Sequence, residues 1–306
     1  MRLSTSVIYQ RQVASSQEIQ SAVSTASAQV SSGIRVTKPS DDPIAASQSV
    51  LVSQAQSDSK KYTTARQTAE ASLNLEDTTL DEVVSVVQSI QTKLIQASNT
   101  TYSDADRASL ATELQSYKDQ LVALANTTDS SGNYIFSGYA SGSAAFSVAD
   151  DGTVTYSGSS NAVSIKISDG LSVTTGDTGN SVFGEDGNSI FDTIDQALSA
   201  LSMKLDEGDS TQEYTDAMGG ALNALSDQLD DVYTAQTKLG GKQSTITSLE
   251  TLQDSIDVVY ADRQTNLVEA DIVAATATYQ SLQLMLEANA AVTSSMFSMS
   301  LFQLNG

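Results

Sequence analysis

Apolar residues recur along this chain in long helical series, interrupted by one glycine-rich interval. Leu73, Leu80, Val87 and Leu94 repeat every seven residues, and Val83, Ile90 and Ala97 form a second series of the same period. Together they give the alternating spacing of a coiled-coil seam, and no breaker intervenes between Pro43 and about Asn99. One long helix is therefore expected there. Asp42 before Pro43 starts it, since an aspartate caps free amides and proline is tolerated at the first helical position. Ser103-Asp104 caps the next helix, where Leu110, Leu114, Tyr117, Leu121 and Leu124 continue the spacing. The short turn at 99–103 folds the two helices back antiparallel.

An earlier arm, roughly 5–33, carries Ile19, Val23, Ala26 and Val30 and stops at Gly33. Beyond the glycine-rich interval, helical spacing resumes at Phe191, Ile194, Leu198, Leu201 and Leu205. After a break at Gly208–Ser210, Leu222, Leu225, Leu229, Val232, Leu239 and Ile246 hold heptad positions. Gln236 and Gln243 fall in that seam, and Gly240-Gly241 weakens it. A last arm, 265–304, offers Ile272, Ala275, Tyr279, Leu282 and Leu286, then Met296, Phe297, Met299, Leu301 and Phe302.

Both prolines, Pro39 and Pro43, lie within five residues of each other, so nothing of that kind interrupts the later helices. Ten of the 17 glycines fall between Gly132 and Gly187. In that interval Thr153-Val154-Thr155-Tyr156 and Val163-Ser164-Ile165-Lys166-Ile167 alternate with period two, and Asp151-Gly152 supplies a hairpin turn. The fold class expected is mainly α: a long antiparallel coiled-coil bundle, paired terminal helices and a small inserted β-rich domain. The divisions expected are terminal arms at 1–40 with 262–306, a bundle at 41–136 with 188–261, and an insert at 137–187. Leu73, Leu80, Val83, Val87, Ile90, Leu94, Leu114, Leu121, Leu225, Leu229 and Val232 are assigned to the bundle core.

Composition sharpens this picture. Aromatics make up 6% of the 306 residues and there is no Trp, which suits thin bundles better than a thick globular core. The chain has no Cys and no His, which excludes disulfides, thiolate chemistry, imidazole ligands and Ser/His or Cys/His nucleophile pairs. Asp150-Asp151 and Glu185-Asp186-Gly187-Asn188 match no calcium-loop spacing and read as solvated turns. Gly240-Gly241-Lys242 lacks the phosphate-loop pattern. No metal, cofactor or catalytic residue is expected.

The net charge of −22 is unevenly spread. Residues 1–66 hold seven basic and four acidic residues, a net of +3, while the remaining 240 hold eight basic and 33 acidic, a net of −25. So acidic a body argues against nucleic acid and anionic membrane as partners. The N-terminus has no apolar signal core, and no stretch approaches a membrane span.

The terminal arms offer narrow apolar faces. Burying a Leu, Val or Ile contributes about 1.5–3 kcal/mol, whereas ordering a residue's backbone costs about 1–2 kcal/mol. Such arms are expected to gain order by pairing with each other and with neighbouring subunits. Val7, Ile19, Val23, Val30, Ile272, Tyr279, Leu282, Leu286, Met296 and Phe302 are assigned to those contacts. The Met/Phe cluster at 296–302 reads equally as core or as a partner-binding surface, since flexible Met suits repacking.

Val30-Ser31-Ser32-Gly33-Ile34-Arg35-Val36 followed by Pro39-Ser40-Asp41-Asp42-Pro43-Ile44-Ala45-Ala46 resembles the N-terminal signature of flagellin-related axial proteins of the bacterial flagellum. The paired-proline form resembles the hook–filament junction branch of that superfamily. Met1-Arg2-Leu3-Ser4-Thr5-Ser6, Gly132-Asn133-Tyr134-Ile135-Phe136-Ser137-Gly138, Asn266-Leu267-Val268-Glu269-Ala270-Asp271-Ile272 and Tyr279-Gln280 agree with it. The resemblance covers about 1–140 and 210–306. It implies a structural, non-catalytic subunit forming one ring between another hook-associated protein and the first flagellin layer. Implied partners are copies of itself, that hook-associated protein, flagellin, a cytoplasmic export chaperone over the C-terminal arm, and the flagellar type III export apparatus. The implied location is the extracellular flagellum, reached without a cleaved signal peptide. The alternatives are a filament flagellin, a cytoplasmic coiled-coil scaffold and a carboxylate-dependent hydrolase.

Overall fold

The computed structural model describes residues 5–205 and 210–304, with side chains described from Val7 to Ser295 outside that gap. Its helices are α1 (Thr5–Ser32), α2 (Pro43–Ala97), α3 (Asp104–Ala125), α4 (Gly179–Phe183), α5 (Ile190–Leu201), α6 (Thr211–Val268) and α7 (Ile272–Leu304). Strands β1 (Phe146–Val148), β2 (Val154–Tyr156), β3 (Ser164–Ser168) and β4 (Leu171–Thr174) lie between α3 and α4. The fold is mainly α, with a small β-containing insert. The chain divides into two compact units, Lys60–Gln253 and Met1–Ser59 with Asp254–Gly306.

In the larger unit the heptad series of α2 faces inward: Leu73, Leu80, Val83, Val87, Ile90, Leu94 and Ala97 are all buried. Leu114 and Leu121 of α3 and Leu225, Leu229 and Val232 of α6 join them. The α2–α3 turn is closed by Asn99, whose side chain accepts the Thr101 amide at 3.1 Å, and by a reciprocal Ser103–Asp106 capping box. Lys93 and Glu113 pair across the resulting hairpin. Against α6, polar rungs recur along α2 at seven-residue steps. Gln243 donates to Asn74 at 3.0 Å, Gln236 donates to Asp81 at 2.8 Å, and Gln88 donates to Tyr233 at 3.1 Å. The seam glutamines thus sit at the edge and hold register by hydrogen bonds.

Two expected helix limits move. α5 ends at Leu201, because the Ser202 amide and hydroxyl close back on the last carbonyls, so Leu205 lies beyond it. α6 runs to Val268, and the final helix starts at Ile272 rather than 265. The Asp271 carboxylate accepts the Val273 and Ala274 amides at 3.0 and 3.1 Å, capping the new helix. Helix α6 continues through Gly240-Gly241, where a side chain would meet open space.

The insert consists of two separate antiparallel hairpins, β1–β2 and β3–β4. Gly152 turns the first at φ +85, and Asp151 accepts the Thr153 amide. Four of the six phenylalanines meet where the insert joins the helices. Phe136, Phe146, Phe183 and Phe191 are buried, with ring centroids 5.2–5.8 Å apart, and Tyr156 stands 5.2 Å from Phe146. The low overall aromatic content therefore conceals one compact aromatic core. Polar anchors tie the insert to the helices. Arg66 Nη1 donates to the Ile167 carbonyl at 3.0 Å, and Lys118 Nζ donates to the Gly152 carbonyl at 2.7 Å and to Asp195 at 2.5 Å. Both cations are buried and reach oxygen acceptors, which offsets the cost of burying a charge, although Arg66 Nε has no partner.

Candidate assembly interface

The smaller unit is organised around the Gly33–Pro43 segment. Gly33, at φ +71, ends α1 in the left-handed conformation that glycine adopts without strain. Ile34 then forms an isolated antiparallel bridge to Glu269. The Arg35 amide donates to the Val268 carbonyl at 2.7 Å, and the Ala270 amide donates to the Gly33 carbonyl at 2.9 Å. The guanidinium of Arg35 reaches both sides of this crossing, donating to the Leu267 carbonyl at 2.8 Å and to Asp42 at 3.0 Å.

Asp42 also caps α2 by accepting the Ala45 amide at 3.0 Å. That amide and then Arg35 hold its carboxyl below the ordinary carboxylate value. Asp41 accepts the Lys38 amide and the Thr37 hydroxyl, each at 2.9 Å, and these lower its pKa in the same order. The Arg-x6-Asp spacing is thus a stitched crossing of four helix ends: α1, α2, α6 and α7. Asp42-Pro43 was legible as a helix start, but nothing local revealed the partners of Arg35.

Helices α1 and α7 pack antiparallel. Gln12 bonds Asn289 and reaches Thr293 at 3.4 Å, while Gly33 lies beside Ile272 at the other end. In this unit Ser59 donates to Asp257 at 2.6 Å and Gln264 to Ser49 at 2.8 Å. Only Ala26, Ala45 and Val52 are buried apolar residues among those described in the unit. Val7, Ile19, Val23, Val30, Tyr279, Leu282 and Leu286 are half-buried, and Ile272 is exposed. The side chains of Met296 and Phe302 lie outside the described residues.

A different apolar set faces outward. Ile44, Val50, Leu51, Val258, Val259, Val273, Leu284, Met285 and Val292 are exposed, Val273 to 81% and Ile44 to 72%. Pattern reading for a single seam passes over them. Their signal is the adjacent apolar pair: Val50-Leu51, Val258-Val259, Ile272-Val273, Leu284-Met285. Neighbours on a helix point about 100° apart, so a pair cannot lie wholly within one narrow stripe, and here both members of each pair are exposed. Exposed apolar surface gathered in one unit is what an association surface requires.

Of the acidic residues weighed for calcium, Asp151 and Asp186 serve as acceptors of backbone amides, and nearby Asp192 caps α5. Asp186 accepts the Tyr156 amide at 3.0 Å, and Asp192 accepts the Gly187 and Ser189 amides, each at 2.9 Å. Among the described residues no group of three or more Asp or Glu could hold a metal ion, and no helix is long and apolar enough to cross a membrane.

Known proteins resemble this chain at both levels. The bacterial flagellin N-terminal helical region matches residues 3–141. Flagellar hook-associated protein 3 of Salmonella typhimurium is 35% identical over 319 aligned residues, covering 100% of both chains, and the Escherichia coli protein of that name agrees equally. Among solved structures, flagellar hook-associated protein 3 from Legionella pneumophila superposes with TM-score 0.64 at 19% identity, covering 71% of this chain and 98% of its own. The flagellar junction protein FlgL of Legionella pneumophila gives 0.60 at 19%, covering 72% and 100%. The structural likenesses establish a shared fold. The end-to-end identity goes further, and this chain belongs to the family of flagellar hook-associated protein 3.

Proposed function

We propose that this chain is a non-catalytic structural subunit of the bacterial flagellum, forming a junction ring between a neighbouring hook-associated protein and the first layer of flagellin. The observation that carries this reading is the outward apolar set of the smaller unit, including Ile44, Leu51, Val258, Val259, Val273 and Leu284. Each such side chain contributes about 1.5–3 kcal/mol when buried, and the free chain leaves that stabilisation unused. Copies of the chain, the adjoining hook-associated protein and flagellin supply the missing cover. The arms, 1–40 with 262–306, make those contacts together with the adjoining exposed turns at 44–51 and 258–259. The bundle, 41–136 with 188–261, gives them a stable support, and the insert at 137–187 takes no part in them. Before assembly a cytoplasmic chaperone covers the C-terminal arm, and the type III apparatus exports the chain without signal cleavage to the extracellular flagellum.

The test is a complementation series in cells lacking this protein. Val258→Asp with Val259→Asp is expected to leave the thermal melt of the free chain unchanged while abolishing filament growth. Wild-type filaments on that double variant would overturn the reading. Counting copies per purified flagellum separates a ring from a filament subunit: a number far below that of flagellin is expected.

A further inference from the structure

Glu76, in the middle of α2, is 1% exposed although it carries a carboxylate. Its Oε1 accepts the Asp177 backbone amide at 2.9 Å, in the loop between β4 and α4. Its Oε2 is buried and receives no hydrogen bond from any protein group. The Asp177 side chain turns to α6, where Lys242 Nζ meets it at 2.8 Å. One loop of the insert is thus clamped to α2 through its backbone and to α6 through its carboxylate. The loop packs closely here: a Cβ at Gly176 would sit in ordinary contact, 3.4 Å from the Ile135 carbonyl and 3.6 Å from Glu76 Oε2. A cavity of about 170 Å³ borders the clamp, lined in part by Ser72, Leu75, Ile135 and Asp129.

We propose that Glu76 is a proton-controlled latch that holds the 163–178 segment of the insert against the helices when neutral and loosens it when ionised. The charges that face it are few. Asp177 from the insert and Asp77 from α2 oppose ionisation, and Lys242 from α6 favours it. Asp129 borders the same cavity, with its carboxylate engaged by the Ser131 and Asn133 amides. Burial is the dominant influence, followed by Asp177, and together they raise the Glu76 pKa to about 7 from an ordinary 4.5.

The sign follows from linkage. A carboxyl with a raised pKa in the closed state binds more protons there than in the open state. Opening is therefore favoured as pH rises from 4.5 to about 7, and levels off above that. The latch is independent of the assembly reading, because every group in it lies within Lys60–Gln253.

Hydrogen exchange on the full chain tests it, with rates corrected for intrinsic pH dependence. Protection across 163–178 is expected to fall on the order of tenfold between pH 5.5 and 8, while the β1–β2 hairpin stays constant. E76Q keeps the acceptor and removes the charge, so its protection should not vary over that range. Equal pH dependence in wild type and E76Q would overturn the latch, as would uniformly weaker protection in E76Q at both pH values. Carbon-13 NMR of the wild-type carboxyls gives a readout that needs no variant. One glutamate titrating near neutrality is expected, and a full set titrating in the ordinary range would refute the proposal.

Discussion

Within the larger unit, α2 buries Leu73, Leu80, Val83, Val87 and Ile90 completely, whereas its first turns, in the smaller unit, leave Ile44, Val50 and Leu51 about two-thirds exposed or more. Both stretches belong to one continuous α-helix, so secondary structure does not explain the contrast. What differs is whether the chain itself provides cover. The larger unit surrounds its seam with α3, α5, α6 and an aromatic cluster. The smaller unit holds together through polar crossings, notably Arg35 with Leu267 and Asp42, and through a thin α1–α7 pairing. One unit is finished as a single molecule. The other has its geometry fixed by hydrogen bonds and its apolar surface left exposed.

Substitutions that break the contrast should differ sharply in size. Val87→Asp places an unpaired carboxylate in a fully buried site and is expected to cost more than about 4 kcal/mol, abolishing the cooperative melt of the larger unit. Phe183→Ala removes a ring that contacts Phe136, Phe146 and Phe191, and should cost about 3–5 kcal/mol. Limited proteolysis would then cut first in the insert. Gly240→Ala meets nothing within 4 Å and replaces a poor helix former, so it should stabilise by about 1 kcal/mol, read from the thermal midpoint.

Smaller still is the effect of acidity on the Arg35 crossing. Asp42 has a lowered pKa, so its contribution is present above the ordinary 3.8 and lost as pH falls through the lower folded value. Asp42→Asn should therefore lower the melting midpoint slightly at neutral pH. The difference from wild type should shrink on acidification below 3.8.

The bundle was legible because a seven-residue apolar period is a local signal that packing preserved, residue for residue, in Leu73 through Leu94. One strand of each hairpin was legible from period-two alternation, and the first turn from Asp151-Gly152, but the partner strands β1 and β4 were not. The aromatic core was not, since Phe136, Phe146, Phe183 and Phe191 are spread over 56 positions and meet only in three dimensions. Glu76 and Arg66 were equally opaque. Charged residues in a long helix ordinarily face water, and only the insert lying over them creates their burial. The helix break at Glu269–Asp271 escaped because its cap is a lone aspartate without a neighbouring glycine or proline. In the smaller unit, seven of the ten assigned contact residues are half-buried and Ile272 is exposed, while the exposed apolar pairs Val50-Leu51, Val258-Val259 and Leu284-Met285 went unassigned. Attention to a single stripe discards the residues that face away from it.

The natural absence of cysteine allows a direct test of whether that outward surface is covered on assembly. Single cysteines at Val259 and Met285, with a reference at Asp169 on the insert, would be labelled with a maleimide in the free chain and in intact purified flagella. The account predicts that all three react in the free chain, and that Val259→Cys and Met285→Cys are protected in flagella while Asp169→Cys still reacts. Equal reactivity of Val259→Cys and Met285→Cys in both states would contradict it.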